Sequence, residues 1–184
     1  FKDTIDINKQ DNFGYTALMI AAQHNTNVEV TQYLCETFQD TIDFNIQDKP
    51  ALMIAAVNNS NARVAQYLRD TIDVDKQNES NGYTALMVAA RDSKNVEGLQ
   101  YLCEAFQDAI DVNIQDEHHG DTALMLAARN NTNIEGLQYL CDTFQNTINI
   151  NIQSNQGYTA LMHAARYNTN VEVTQYLCEA FQDT

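Results

Sequence analysis

Proline, glycine and tryptophan are scarce in this sequence. Its 184 residues include one proline, six glycines and no tryptophan. Average usage would place about 22 prolines and glycines in a chain of this length. The shortage excludes a collagen-like chain, a glycine–serine linker and a proline-rich tail. With 44% hydrophobic and 19% charged residues, the composition instead favours a chain that buries a core, and length alone predicts one globular domain.

Positive charge is also scarce. The chain has 10 Lys and Arg against 25 Asp and Glu, which gives a formal net charge of −15. Binding along a phosphate backbone requires an excess of Lys and Arg, so we expect no nucleic-acid partner. The acidic charge mildly favours basic partners through electrostatic steering.

Long hydrophobic runs are absent as well. No apolar stretch approaches the roughly 18 residues that span a bilayer. No positively charged leader precedes an apolar segment either, so we expect no membrane association. The first residue is Phe1 rather than Met, which indicates a fragment or a processed product.

The sequence does contain a strong internal repeat. Ala-Leu-Met occurs five times, each time followed one residue later by a double alanine. Ile-Asp-x-Asn-x-Gln or a variant lies upstream of each copy, and Gln-Tyr-Leu lies downstream. This pattern predicts that residues 1–184 form a single array of repeats. The predicted repeats are 5–41, 42–71 (shortened), 72–109, 110–147 and 148–184.

Each repeat is predicted to contain two helices. The first runs from Thr16 to about Asn25 and has Thr16 as its N-cap, a role repeated by Thr84, Thr122 and Thr159. The second begins after an Asn in every repeat, for which the candidate caps are Asn27, Asn61, Asn95, Asn133 and Asn170. It is expected to be longer at its end, through Thr41 in the first repeat, and its tyrosine (Tyr33 and its equivalents) is expected to be a core or ridge residue.

These residues resemble the ankyrin repeat family. The family pattern Asp-x-x-Gly-x-Thr-Pro-Leu-His-x-Ala-Ala appears in the first repeat as residues 11–22, Asp-Asn-Phe-Gly-Tyr-Thr-Ala-Leu-Met-Ile-Ala-Ala. The resemblance implies an all-α solenoid of stacked helix-turn-helix modules with extended finger loops, the loops that precede the first helices. Most repeats here have 37 or 38 residues against a family period of about 33. Met19 and its equivalents replace the family His, which predicts packing by Met.

The second repeat departs furthest from the pattern. It lacks Gly-Tyr-Thr and reads Asp48-Lys49-Pro50-Ala51 instead, and its second helix loses the Cys and the Phe. We therefore expect a shortened finger loop and a local change of curvature there.

The four cysteines occur at one position in each repeat except the second: Cys35, Cys103, Cys141 and Cys178. Stacked helices lie about 8–10 Å apart, beyond the roughly 7 Å between Cα atoms that a disulfide allows. No Cys-x-x-Cys pair suggests zinc. We predict packed, reduced core thiols, which fit a cytoplasmic location.

Two other motifs contain residue types that can bind metal ions. His118 and His119 are adjacent at a finger-loop tip, where contact with solvent or with a partner is favoured over metal binding. Asp6-x-Asn8-x-Gln10 resembles the start of a calcium loop but lacks its Gly and bidentate Glu, so turn formation is favoured.

No motif for catalysis is found. The sequence lacks a nucleophile–base motif, a phosphate loop and Gly-x-Ser-x-Gly. Nearly every acid and histidine has copies in other repeats, and His163, in a first helix, is expected to be a satisfied core or groove histidine. We predict that the protein is not an enzyme, with no catalytic residue, no metal, no cofactor and no non-repeated constellation.

The resemblance implies a protein-binding scaffold whose partner docks on the concave face, formed by the finger loops and the first helices. Carrying over the variable positions of the family gives the candidate contacts Phe13, Tyr15, Gln23, His24, Tyr83, Arg91, Asp92, His119, Asp121, Arg129, Tyr158, Arg166 and Tyr167. The alternative is a structural array that stacks end to end or forms part of a longer solenoid or filament, since its two ends are complementary in phase.

Overall fold

The computed structural model describes residues 4–25, 27–44, 46, 73–91, 96–130 and 134–180. These residues form eight helices and no strand, which confirms the predicted all-α solenoid. The helices are α1 (Ala17–His24), α2 (Val28–Phe38), α3 (Ala85–Arg91), α4 (Val96–Phe106), α5 (Ala123–Asn130), α6 (Ile134–Thr143), α7 (Ala160–Tyr167) and α8 (Val171–Glu179). The shortened finger loop and the change of curvature predicted for the second repeat lie outside the described residues.

Threonine caps begin the first helices, as predicted. The hydroxyl of Thr16 accepts a hydrogen bond from the backbone N–H of Met19 at 3.3 Å. Thr84, Thr122 and Thr159 do the same at 3.3, 3.3 and 3.4 Å. Each cap satisfies an N–H that has no partner within the helix.

The second helices begin at asparagine caps where these are described. Oδ1 of Asn27 accepts from the N–H of Glu29, and Oδ1 of Asn170 accepts from the N–H of Glu172, both at 3.0 Å. Asn61, Asn95 and Asn133 lie outside the described residues. The expected extension to Thr41 is wrong: α2 ends at Phe38 and residues 39–41 form a turn.

The core lies between successive repeats. Met19, Met87 and Met125 are at most 2% exposed, as the predicted packing requires. Met162, in the last repeat, is 48% exposed. This methionine position faces the following repeat, and no described residue covers α7 on that side.

The burial of the cysteines, like that of the methionines, depends on the following repeat. Cys35, Cys103 and Cys141 are buried and free, and burial raises the pKa of the Cys103 and Cys141 thiols to about 12. Cys178 is free but exposed. The predicted core position is therefore wrong for Cys178, because this side chain also faces the side where a following repeat would pack.

The tyrosines of the second helices face the preceding repeat. The Tyr176 hydroxyl donates to Oδ1 of Asp142 in the preceding repeat at 3.0 Å. Tyr33 has no preceding repeat among the described residues and is 66% exposed. Tyr33 is thus a surface residue, while its equivalents Tyr139 and Tyr176 are half-buried.

The Asp-x-Asn-x-Gln segments link one repeat to the next. Nδ2 of Asn113 donates to the carbonyl of Thr147, and its Oδ1 accepts from the N–H of Asn149, both at 2.8 Å. Nε2 of Gln115 donates to the carbonyls of Gly120 and Gln153 at 2.7 and 2.9 Å. These bonds form a polar ladder along the finger loops and hold the loops in register.

Among the described helices, none has both the length and the hydrophobicity to cross a membrane.

Candidate functional site

The finger loops are held rigidly against the first helices. Gly82 and Gly120 adopt φ values of +69° and +68°, a left-handed conformation that favours glycine. A buried side chain closes the fourth loop: Asp116 accepts from the N–H groups of His118, His119 and Asp121 at 2.7–2.9 Å. The loop thereby places the residue after its glycine against the first helix of the same repeat.

The residue that follows the glycine of a finger loop contacts an arginine eight positions later, in the last turn of the first helix. The Cζ atom of Arg91 lies 5.3 Å from the ring centroid of Tyr83. In the next repeat, Nη1 of Arg129 donates to Oδ2 of Asp121 at 2.9 Å. We call Arg91, Arg129 and Arg166 the arginine row.

Arg166 has two aromatic neighbours. Its Cζ atom lies 5.3 Å from the ring centroid of Tyr158 and 5.1 Å from that of Tyr167. Nη1 also donates to the Tyr158 hydroxyl. Such cation–π contacts hold the guanidinium plane without neutralising its charge.

A second cluster joins the fourth and fifth repeats. Oδ1 of Asp121 lies 3.2 Å from Nε2 of His163, and these side chains are only 2% and 4% exposed. The His163 ring meets Tyr158 edge-on at 5.6 Å and stacks on Tyr167 at 5.9 Å. Burial lowers the pKa of His163, against the opposing effect of the Asp121 carboxylate. The lowered pKa favours the neutral imidazole, and Nε2 is the ring nitrogen that faces Asp121.

Two predictions are wrong at His163: that this histidine is satisfied, and that the sequence contains no non-repeated constellation. Nδ1 and Nε2 are both buried, and neither makes a hydrogen bond within the described part of the chain, so the histidine is not satisfied. The cluster is also a non-repeated constellation, which we did not expect. Asp121 stands where other repeats have Tyr15, Tyr83 or Tyr158, and His163 stands where they have an aliphatic residue. Alignment of the repeats shows both departures, but not that the two residues meet.

A small cavity opens beside this cluster. Its volume is about 230 Å³, enough for one polar side chain. It is lined by His119, Asp121, Arg129, Ser154, Gln156, His163 and Tyr167.

The structure separates the candidate contacts by exposure. Phe13 is 85% exposed and Tyr167 46% exposed, and Arg91, Arg166, His24 and His119 are also exposed. The half-buried candidates are Tyr15, Gln23, Arg129 and Tyr158, and Asp92 lies outside the described residues.

Two of the candidate partner contacts are buried, so the prediction is wrong for them. Tyr83 is 5% and Asp121 1% exposed, so neither presents a surface to a partner. The ring of Tyr83 contacts Arg91, and Oδ2 of Asp121 accepts a hydrogen bond from Arg129.

Within the described ranges, no group of three or more His, Cys, Asp and Glu side chains is arranged to hold a metal ion. The rings of His118 and His119 lie 6.5 Å apart at 88° to each other, and both residues are exposed.

Comparison with known proteins covers nearly the whole chain. The family model "Ankyrin repeats (3 copies)" matches residues 2–78, 40–116 and 106–184. The fold is similar to a chain in the structure of Bd0816 Predatory Endopeptidase from Bdellovibrio bacteriovorus in complex with immunity protein Bd3460. The TM-score is 0.71 at 23% identity, and the match covers 97% of this chain and 87% of that one. At this identity the likeness concerns the fold alone. No curated protein matches the sequence.

Proposed function

The chain belongs to the ankyrin repeat family, whose repeats generally mediate protein–protein interaction, and we propose that it is a non-catalytic scaffold that binds another protein on its concave face. The main support is the set of exposed aromatic and arginine side chains on the finger loops and first helices. Phe13, Tyr167, Arg91 and Arg166 are exposed there without forming part of the inter-repeat core. Aromatic residues and arginine are enriched among the residues that dominate binding energy.

A photo-crosslinking experiment tests which face binds. A photoreactive phenylalanine analogue replaces Phe13 or Tyr167 on the concave face, and Tyr33 on a second helix serves as the matched control. Tyr33 is an aromatic residue of similar exposure, 66%, but it lies outside the proposed face.

After irradiation in a cell extract, we expect a crosslinked band of the same mass increment from positions 13 and 167. An excess of unmodified protein should abolish the crosslinked band by competing for the partner. Equal crosslinking from position 33 to the same partner contradicts the concave face.

We also propose a cytoplasmic location. Its support is that all four cysteines are free and that three of them are buried thiols. Reduced, unpaired cysteines are typical of proteins in reducing compartments.

End-to-end stacking is the second candidate function, and a specific observation favours it. The large hydrophobic side chains that are exposed in the described residues all lie in the first and last repeats. At the N-terminal face, Ile20, Val30 and Leu34 line a groove of about 570 Å³. At the C-terminal face, Leu161 and Met162 are 39% and 48% exposed.

The two faces are the two halves of one inter-repeat interface. Leu18 and Met19, the equivalents of Leu161 and Met162, are at most 2% exposed. A second copy could therefore continue the array, and this head-to-tail contact does not close on itself. Further repeats of a longer chain would cover the same faces.

Sedimentation velocity over a wide concentration range tests this candidate. We expect the weight-average mass to rise with concentration and expect Ile20→Glu, at the N-terminal face, to abolish the rise. Phe13→Glu adds the same charge at an exposed residue away from the end faces and should leave it unchanged. A monomer at every concentration, or an equal effect of both variants, contradicts stacking.

A further inference from the structure

Positive charge is unevenly distributed over the described residues of this acidic chain. Five Lys and Arg residues lie within the described ranges, and three of them form the arginine row. The other two, Lys9 and Lys76, lie in the connections between repeats. A chain with a net charge of −15 thus places a line of guanidinium groups along its concave face.

The guanidinium groups of the row are held in place before any partner binds. Arg91 lies over Tyr83 and Arg166 lies over Tyr158 and Tyr167, with Cζ 5.1–5.3 Å from the ring centroids. Anchored side chains lose less conformational entropy on binding.

The middle arginine differs from the outer two. Arg129 is paired with the buried carboxylate of Asp121, so its charge is largely neutralised. The outer two, Arg91 and Arg166, are exposed and contact aromatic rings, and no carboxylate of the described residues lies within salt-bridge distance of either. The net positive charge of the row therefore comes from its two ends.

We propose that the arginine row binds carboxylates of an extended acidic segment of the partner protein, an inference that rests on the proposed concave-face function. A guanidinium group forms paired, charge-assisted hydrogen bonds with a carboxylate, and its planar fork suits that geometry. The cavity beside Arg129 adds the side chains of Gln156 and Ser154, which can also donate hydrogen bonds to an acidic group.

The spacing of the row suits an extended segment. Adjacent stacked helices lie about 8–10 Å apart, and three residues of polyproline II span about 9 Å and bring the fourth side chain to the same face. Acidic residues at every third position would therefore follow the repeats one by one. A peptide that alternates Glu with two prolines is the matching probe.

Nucleic acid is the other polyanion that arginine attracts, but the charge of the chain disfavours it. Duplex DNA carries about one negative charge per 1.7 Å of its axis, and its long charged backbone would be repelled by a protein of net charge −15. A short acidic segment brings only a few negative charges, and the exposed guanidinium groups of Arg91 and Arg166 can offset part of that charge.

The experiment measures binding of a fluorescein-labelled peptide of four Glu-Pro-Pro units by fluorescence anisotropy. The test variant is R91Q/R166Q, because glutamine is the natural residue at this position in the first repeat, Gln23. The control is K9Q/K76Q, which removes the same two positive charges away from the row. Thermal unfolding of each variant verifies that the array is folded.

We expect R91Q/R166Q to weaken binding about tenfold, and K9Q/K76Q to change it by less than about twofold. Three results would overturn the proposal: no binding of the glutamate peptide, equal losses in both variants, or tighter binding of the corresponding Lys-Pro-Pro peptide. Binding of oligo-dT with the same dependence on Arg91 and Arg166 would also overturn it, in favour of nucleic acid.

The outcome can be separated from that of the proposed function. Crosslinks from positions 13 and 167 without binding of the glutamate peptide would leave the concave face in place and remove only the acidic partner. Loss of those crosslinks while the peptide still binds through the row would reject the protein-binding scaffold but keep the carboxylate site.

Discussion

Oδ1 of Asp121 lies 3.2 Å from Nε2 of His163, across the boundary between the fourth and fifth repeats. Both residues break the repeat pattern, and the second lies 42 positions after the first. Oδ2 of the same carboxylate accepts from Arg129. One buried acid thus connects a histidine of the next repeat to an arginine of its own repeat.

His163 should make the stability of the array depend on pH. Burial lowers the pKa of this imidazole in the folded state, so the unfolded state takes up a proton first as the pH falls. Stability should therefore be complete above the unfolded pKa of about 6.5 and decrease below it. One such group contributes at most about 1.4 kcal/mol per pH unit.

The measurement is the free energy of urea unfolding between about pH 7.5 and 5, for wild type and for His163→Leu. Leucine is the residue at the same position in the fourth repeat, Leu126. We expect the leucine variant to lose part of the pH dependence, and His24→Leu, at the exposed histidine that ends α1, to retain it. An unchanged slope in His163→Leu would show that the imidazole is not held neutral.

Thiol labelling should distinguish one cysteine from the other three. Cys178 is exposed, whereas Cys35, Cys103 and Cys141 are buried. Burial raises the pKa of Cys35 to about 11, which further reduces the reactive thiolate. In the folded protein, a disulfide reagent should therefore modify one thiol quickly, and Cys178→Ser should remove that fast phase. Fast modification of two or more thiols in the Cys178→Ser variant would contradict the packing of the second helices.

The threonine caps should contribute measurably to stability. Thr122 is 4% exposed and its hydroxyl accepts from the N–H of Met125. Thr122→Ala should lower the free energy of unfolding by about 1 kcal/mol, because it leaves that N–H without its cap. Thr122→Ser keeps the hydroxyl, so the difference between the two variants in chemical denaturation isolates the cap. Equal stability of the Ser and Ala variants would rule out a stabilising cap here.

Tyr15 and Tyr158 provide a further test of the concave face. Both are half-buried on the finger loops, and Tyr158 also supports Arg166. The double substitution Tyr15→Ala and Tyr158→Ala should reduce photo-crosslinking from position 13. Because both side chains are half-buried, it should also lower the unfolding midpoint, so crosslinking is measured at a temperature at which the variant is folded. Undiminished crosslinking by a fully folded double variant would count against this face.

Local sequence determined the repeats and most of their helices. A threonine before Ala-Leu-Met caps its own helix within three residues, and Asp6 and Asp111 each accept from a backbone N–H two residues later, so neither contact needs information from distant parts of the chain. The five-fold recurrence of these signals predicted the solenoid, and the helix starts at Ala17, Ala85, Ala123 and Ala160 confirm it.

Only the tertiary structure decided which side chains are exposed and which ones meet. Cys178 and Cys103 both lie in the sequence Gln-Tyr-Leu-Cys-Glu-Ala-Phe-Gln-Asp, yet Cys178 is exposed and Cys103 buried, because burial here depends on the repeat that packs against each residue. Tyr83 is buried behind Arg91 although its position in the sequence is that of a loop residue. The contact between Asp121 and His163 likewise depends on the register of adjacent repeats, which the polar ladder of the finger loops sets across the stack.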